Sequence, residues 1–386
     1  MLDAFSSLLS FVKSLVECNF NEAEELALNR KIRSVFSILV LAISAGLSAS
    51  ACVAEVRVIL VGTGGPEFSP TRQGYSTLVQ ASDQLFLFDA GRGVAQGLYQ
   101  ARINPKAISK IFLTHLHNDH IEGLPTLWIT PWFLLARDHG FDVWGPAGTQ
   151  RMISGMRQMF SDVEKRGNVN GFNKLEYMNI SATEIADGFT YESGGVKVTA
   201  FTVEHGDGNP ALGYRIDAEG RTIVLSGDTI YHPHVVEQGR GADVIVHNVV
   251  AFSDRWMARP EMQKQMQSVL SKLASPDQAA KVFSEAAPRL AVFSHIVKKD
   301  LSGDEGDRVI LDRTRAAEYL GPLVMGRDGM IIELDDEIRV IQPLSTNDLP
   351  DLDNRAVVLK PEWKCDPPKH FICEPSSGKM TCECKT

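Results

Sequence analysis

Positive charge is what this 386-residue chain is short of: 39 lysines and arginines face 48 acidic side chains, a formal net charge of −9. Such a chain supplies no field that gathers a polyanion, so a nucleic acid is not the partner its charge predicts. Long apolar runs are scarce as well. The uncharged stretch from Ser34 to Ala49 falls below the roughly 20 residues of a membrane-spanning helix. GlyThrGlyGlyPro at 62–66 lacks the lysine of a phosphate-binding loop and the third glycine spacing of a dinucleotide fold, which leaves a tight turn. Cysteine is sparse, six in all, and the four in the tail (Cys365, Cys373, Cys382 and Cys384) lack the paired CxxC spacing of a zinc knuckle.

What is present begins with an export pattern. Arg30, Lys31 and Arg33 precede the uncharged stretch, and AlaSerAla at 49–51 offers a cleavage site, so a secretory signal and a periplasmic location are expected. An uncleaved membrane anchor is the rival reading, with Met1–Asn29 as a cytoplasmic tail or an upstream extension. Cys52 directly after AlaSerAla invites lipidation, although Ala49 stands where a bulky aliphatic is expected. Residues 1–51 carry four basic and five acidic side chains, so removing them leaves the chain acidic. The division expected is an extension and signal at 1–54, a catalytic domain at 55–345 and a tail at 346–386. In an oxidising compartment the four tail cysteines read as two disulfides.

The body alternates strand-like and helical runs. Val56–Val61, Ser76–Ala81 and Leu85–Asp89 read as strands and Val94–Ala101 as a helix. SerGlyGly at 193–195 and AlaGluGly at 218–220 read as hairpin turns, and Ser275–Pro276 as a helix start. Periodicity alone gives a mixed α and β chain.

The densest chemistry is THLHNDH at 114–120, which follows the apolar run Ile111–Leu113. His115, His117, Asp119 and His120 alternate and then double up, the spacing of a loop leaving a strand rather than of one helix face. An alternating pair presents two imidazoles to one metal, while Asp119 and His120 reach a second centre beside it. Three further candidates each end an apolar run: ValThrAlaPheThrVal leads through Glu204 to His205, ThrIleValLeuSerGly to Asp228, and LeuAlaValPheSer to His295. A polar residue at a buried strand's tip is where a rigid scaffold presents chemistry.

These residues resemble the metallo-β-lactamase superfamily of binuclear metallohydrolases. FLTHLHNDHIEGLP, with GTGGP upstream and LSGDT downstream, is similar to the branch holding arylsulfatase-like enzymes and tRNA 3′-processing endonucleases, over about Val56 to His295. The resemblance implies an αββα four-layer sandwich of the α/β (α+β) class, with metals at the sheet edge. It implies that His115, His117 and His205 hold one metal, that Asp119, His120 and His295 hold the other, and that Asp228 bridges. Two Zn2+ ions are expected, with Mn2+ or Fe2+ as alternatives. They would activate a shared water, and the positive excess of the centre points to a small anionic ester, an aryl sulfate or phosphate ester. A lactonase or β-lactamase, a tRNA-processing phosphodiesterase and a non-catalytic envelope protein are the alternatives.

Asp119 is expected to take part in catalysis as well as ligation. His247, after the strand ValIleVal, matches a histidine that assists proton transfer in the tRNA-processing relatives, but Asn248 follows where they have glutamate. Arg72 and Arg92 are candidates to hold an anion, though surface roles suit both. His232 and His234, either side of Pro233, read as rim residues.

Overall fold

The computed structural model describes residues 56–166 and 174–343, with the backbone alone for 164–166 and for strands 356–359, 370–376 and 379–385. The expected signal at 1–54 and Cys365 lie outside the described residues.

The first half supplies β1 (Val56–Gly62), β2 (Ser76–Ala81), β3 (Gln84–Phe88), β4 (Lys110–Phe112), β5 (Phe141–Gly145) and β6 (Ile180–Glu184). The second supplies β7 (Thr190–Ser193), β8 (Val196–Val203), β9 (Ala211–Ala218), β10 (Arg221–Leu225), β11 (Val244–Phe252), β12 (Leu290–Lys299) and β13 (Leu323–Met325). It ends with β14 (Met330–Leu334), β15 (Ile338–Ile341) and β16 (Ala356–Leu359). Strands β14 to β16 return to the first sheet. The orders are β16-β15-β14-β1-β2-β3-β4-β5-β6 and β13-β12-β11-β10-β9-β8-β7. The nine-stranded sheet thus takes its edge strand from beyond position 345.

Two-residue alternation decides the layers. On β1, Val56, Val58 and Leu60 enter a core shared with Val198, Tyr214, Leu225 and Val246 of the other sheet, whereas Ile59 and Val61 face helices. The second sheet repeats the device: Val244 and Val246 face inward, and Ile245 packs with Phe283 and Ile310 on the outer side. Each such side chain contributes roughly 1.5–3 kcal/mol by leaving water. The outer helices are α1 (Val94–Gln100), α2 (Asn118–Ile121), α3 (Leu124–Leu134) and α4 (Thr149–Met159) on one side. On the other are α5 (Pro233–Gly239), α6 (Pro276–Ala286) and α7 (Gly303–Ala316). The result is an αββα sandwich.

Helix α6 begins as its sequence indicates, with a capping box between Ser275 and Gln278 and Pro276 in the first turn. Helix α3 is different. It buries Leu124, Leu127, Trp128, Pro131 and Trp132, and the indole nitrogens of Trp128 and Trp132 donate to the Met178 and Lys174 carbonyls at 2.9 and 3.0 Å. Among the described residues no helix is long and apolar enough to cross a membrane.

Candidate metal centre

Strands β3 to β6 are mutually parallel, and so are β10 to β13. Their carboxyl ends therefore open along one edge, where an open α/β sheet binds ligands. THLHNDH leaves β4 at that edge, His205 follows β8, Asp228 follows β10, and His295 lies within β12. The seven residues chosen from sequence are brought together, and all but His117 are buried.

Three imidazole nitrogens converge first. His117 Nδ1 lies 3.0 Å from His115 Nε2 and 3.1 Å from His205 Nε2. A second group, Asp119, His120 and His295, is joined by a 3.0 Å contact between His295 Nε2 and Asp119 Oδ2. Between them stands Asp228, whose Oδ2 is 3.1 Å from His295 Nε2, 3.5 Å from His120 Nε2 and 3.7 Å from His205 Nε2. One carboxylate oxygen thus reaches both groups.

Outer contacts aim these nitrogens. His205 Nδ1 donates to the Lys272 carbonyl at 2.8 Å, and His120 Nδ1 to Asp89 Oδ2 at 2.8 Å, which turns each Nε2 into the centre. The Thr114 hydroxyl donates to Asp89 Oδ2 at 2.7 Å and can accept from His115 Nδ1 at 3.0 Å. Asp89 Oδ1 accepts the Thr114 amide at 2.8 Å. Asp89 is a member that the sequence reading passed over. It ends LeuPheLeuPhe, the same setting as His205, Asp228 and His295, and that recurrence was the available signal.

The charges fit a cation. Burial, then the neighbouring imidazoles of His120 and His205, hold His115 well below its ordinary range, so its ring is neutral. Burial disfavours charge on His120 and His295, but Asp228 and its neighbouring carboxylates outweigh it and draw protons onto both rings. Those charges in turn keep Asp228 ionised against burial; a divalent ion would stand where those protons do. His120 Nε2 and Asp228 Oδ1 are buried without a hydrogen-bond partner. Orphaned atoms of this kind, facing converging imidazole nitrogens, suit a divalent metal.

Backbone approach is equally tight. A Cβ on Gly65 would sit 3.1 Å from His295 Cε1, and one on Gly91 2.3 Å from the Asp119 carbonyl oxygen. The GlyThrGlyGlyPro turn thus passes close against the His295 ring. His295 itself takes φ 48°, a left-handed conformation that costs a non-glycine residue on the order of 1–3 kcal/mol.

The remaining candidates are not among the converging ligand atoms, although Asp228 is near enough to act on the charge of His247. His247 is buried, edge-on to Phe283, and its Nδ1 donates to the Asn248 carbonyl at 2.9 Å. Its Nε2 has no hydrogen-bond partner, and burial pulls its pKa down to about 4. Arg72 is an internal strut rather than a surface residue. Its guanidinium donates to Thr63 Oγ1 at 2.7 Å, to the Gly326 carbonyl at 2.6 Å and to Asp307 Oδ2 at 2.9 Å. Arg92 pairs with Glu122 at 3.4 Å and donates to the Glu67 carbonyl at 3.2 Å. His232 caps α5, accepting the His234 amide, and His234 donates to the Thr202 carbonyl at 3.0 Å.

A two-sheet sandwich with histidines and aspartates convergent at its strand ends defines a class, the metal-dependent hydrolases of this fold. The family model described as a beta-lactamase superfamily domain matches residues 84–296. Ribonuclease Z of Mycobacterium marinum is 31% identical over 281 residues, covering 71% of this chain and 96% of that protein. Ribonuclease Z of Mycolicibacterium gilvum is 33% identical, covering 67% and 91%. Among solved structures, human tRNase Z, short form, aligns with a TM-score of 0.53 at 21% identity, over 72% of this chain and 98% of that one. Zn2+-bound PqqB from Methylobacterium extorquens gives 0.51 at 17%, over 72% and 100%. At these identities the structural matches speak for the fold alone. The chain belongs to the metallo-β-lactamase superfamily, and it is a divalent-metal hydrolase with relatives of the ribonuclease Z type.

Proposed function

We propose that this chain hydrolyses phosphodiester bonds at the Asp228 centre. The observation that carries the reading is the 31% identity to a ribonuclease Z over 96% of that protein's length. It favours a phosphodiester over the aryl sulfate that the sequence left equally open.

The donor set of five imidazoles and two carboxylates fits zinc, with manganese or iron as rivals. His115, His117 and His205 would hold one ion and Asp119, His120 and His295 the other, with Asp228 placed to serve both. When bound, such a pair supplies Lewis acidity and brings the pKa of a coordinated water towards about 7. The chain's own residues do the rest. Asp119 stays ionised, because although burial opposes it, His120 and His295 outweigh that, so its carboxylate is free to ligate and to accept a hydrogen bond from a water in the centre, orienting it. Burial holds His247 neutral near pH 7 and its Nδ1 is engaged with the Asn248 carbonyl, so a part in proton transfer would fall to its Nε2. Two divalent cations against two aspartates would leave a positive excess that suits an anionic diester. The net charge of −9 favours a short or exposed diester over a long polyanion laid along the surface.

The test is hydrolysis by the zinc-loaded chain of bis(p-nitrophenyl) phosphate, an RNA with a 3′ extension, p-nitrophenyl sulfate, a lactone and a β-lactam. The diesters should be preferred by at least about tenfold in kcat/KM, and preference for the sulfate would overturn the reading.

A further inference from the structure

We infer that Phe68 and Arg92 form a stacking platform at the mouth of the metal centre, which receives a nucleobase flanking the scissile phosphodiester. The inference rests on the phosphodiesterase reading and adds the substrate's recognition element.

Phe68 is 90% exposed, and its ring lies over the Arg92 guanidinium with 4.6 Å between Cζ and the ring centroid. Leaving a phenyl ring in water forgoes the roughly 1.5–3 kcal/mol that burial would return, so what holds it out matters. The loop beneath it is fixed on both sides. Arg92 donates to the Glu67 carbonyl at 3.2 Å and is itself paired with Glu122, and the Glu67 carboxylate pairs with Lys299. One face of the ring is therefore backed by a cation, and the high exposure leaves the other to solvent.

Its position relates it to the chemistry. Phe68 comes three residues after Gly65, which is packed against the His295 ring, and Lys299 comes four after His295. Arg92 follows Gly91, whose backbone lies against the Asp119 carbonyl. Both partners of the stack thus hang from backbone that touches a residue of the second metal group. An exposed aromatic backed by arginine is how proteins that take single nucleic-acid strands hold successive bases, because every base offers a π-face. It also reconciles an acidic surface with a polyanion's building block: recognition of the base needs no positive field.

Isothermal titration of the full, zinc-loaded chain with adenosine 5′-monophosphate and with ribose 5-phosphate isolates the ring, since both carry the same phosphate. Wild type should bind the nucleotide at least about tenfold more tightly. Phe68→Ala should collapse that gap to less than about threefold, and Phe68→Trp should keep it. Equal affinities in wild type, or an undiminished gap in Phe68→Ala with unchanged circular dichroism, overturn the proposal. Turnover of thymidine 5′-p-nitrophenyl phosphate is followed alongside, with KM expected to rise more than kcat falls in Phe68→Ala. Wild type that shows the gap but cleaves no diester refutes the phosphodiesterase reading alone.

Discussion

Asp89 Oδ2 and His120 Nδ1 meet at 2.8 Å with both side chains fully buried, so the carboxylate fixes which imidazole nitrogen faces the metal centre. Asp89→Ala should therefore weaken metal binding by about 10- to 100-fold while the fold persists. Competition against a chromophoric chelator measures this, and wild-type affinity in the variant would falsify the role.

Asp228 is the residue whose one oxygen approaches both groups. Asp228→Ala leaves two cations close together without a shared anion. Activity should fall by at least about a hundredfold, and elemental analysis should find less than two metals per chain. A variant with full metal content and normal turnover would refute the bridging assignment.

His247 should make stability depend on pH. Unfolded, it takes up a proton near its ordinary 6.5; folded, burial keeps it neutral down to about 4. The unfolded chain thus binds more protons between those values, and stability rises with pH across the window. The neutral ring's contribution is complete above about 6.5 and is lost as pH falls towards 4. His247→Gln should flatten the melting-temperature profile over that range relative to wild type, and parallel profiles would remove the argument.

The C-terminal hairpin of β17 (His370–Ser376) and β18 (Lys379–Lys385) sets Cys373 opposite Cys382 in register. Opposed residues in antiparallel strands lie about 4.5–5.5 Å apart at Cα, within the span a disulfide bridges. Peptide mapping of unreduced protein from an oxidising compartment should recover those two cysteines linked. Free thiols at both would reject the pairing.

Much of the centre was legible because THLHNDH is dense and because buried strands that end in a polar residue announce themselves. His205, Asp228 and His295 were each found that way. Asp89 obeys the same rule and was passed over, since it precedes the motif and donates nothing to a metal; its role is visible only once Thr114 and His120 fold back onto it. The hairpins around 193–195 and 218–220 followed from their glycines, and β7–β8 and β9–β10 are where those turns place them. Helix α3 gave no such signal. LeuProThrLeuTrpIleThrProTrpPheLeu is apolar all round with Pro131 inside, so it has no polar face to mark a period. Arg72 misleads for the opposite reason: nothing in its neighbours announces Asp307, which lies 235 residues away.

Each metal group draws members from both sheets. His115 and His117 leave the nine-stranded sheet and His205 the seven-stranded one; Asp119 and His120 leave the first and His295 the second. A bound ion would therefore act as a cross-link, closing chain loops of 88 residues between His117 and His205 and of 176 between Asp119 and His295. Loop-closure entropy grows only with the logarithm of length, so the second link, twice as long, would be worth just about 0.6 kcal/mol more than the first. The two ions would then be near equals in holding the halves of the sandwich together, whatever their separate parts in the chemistry.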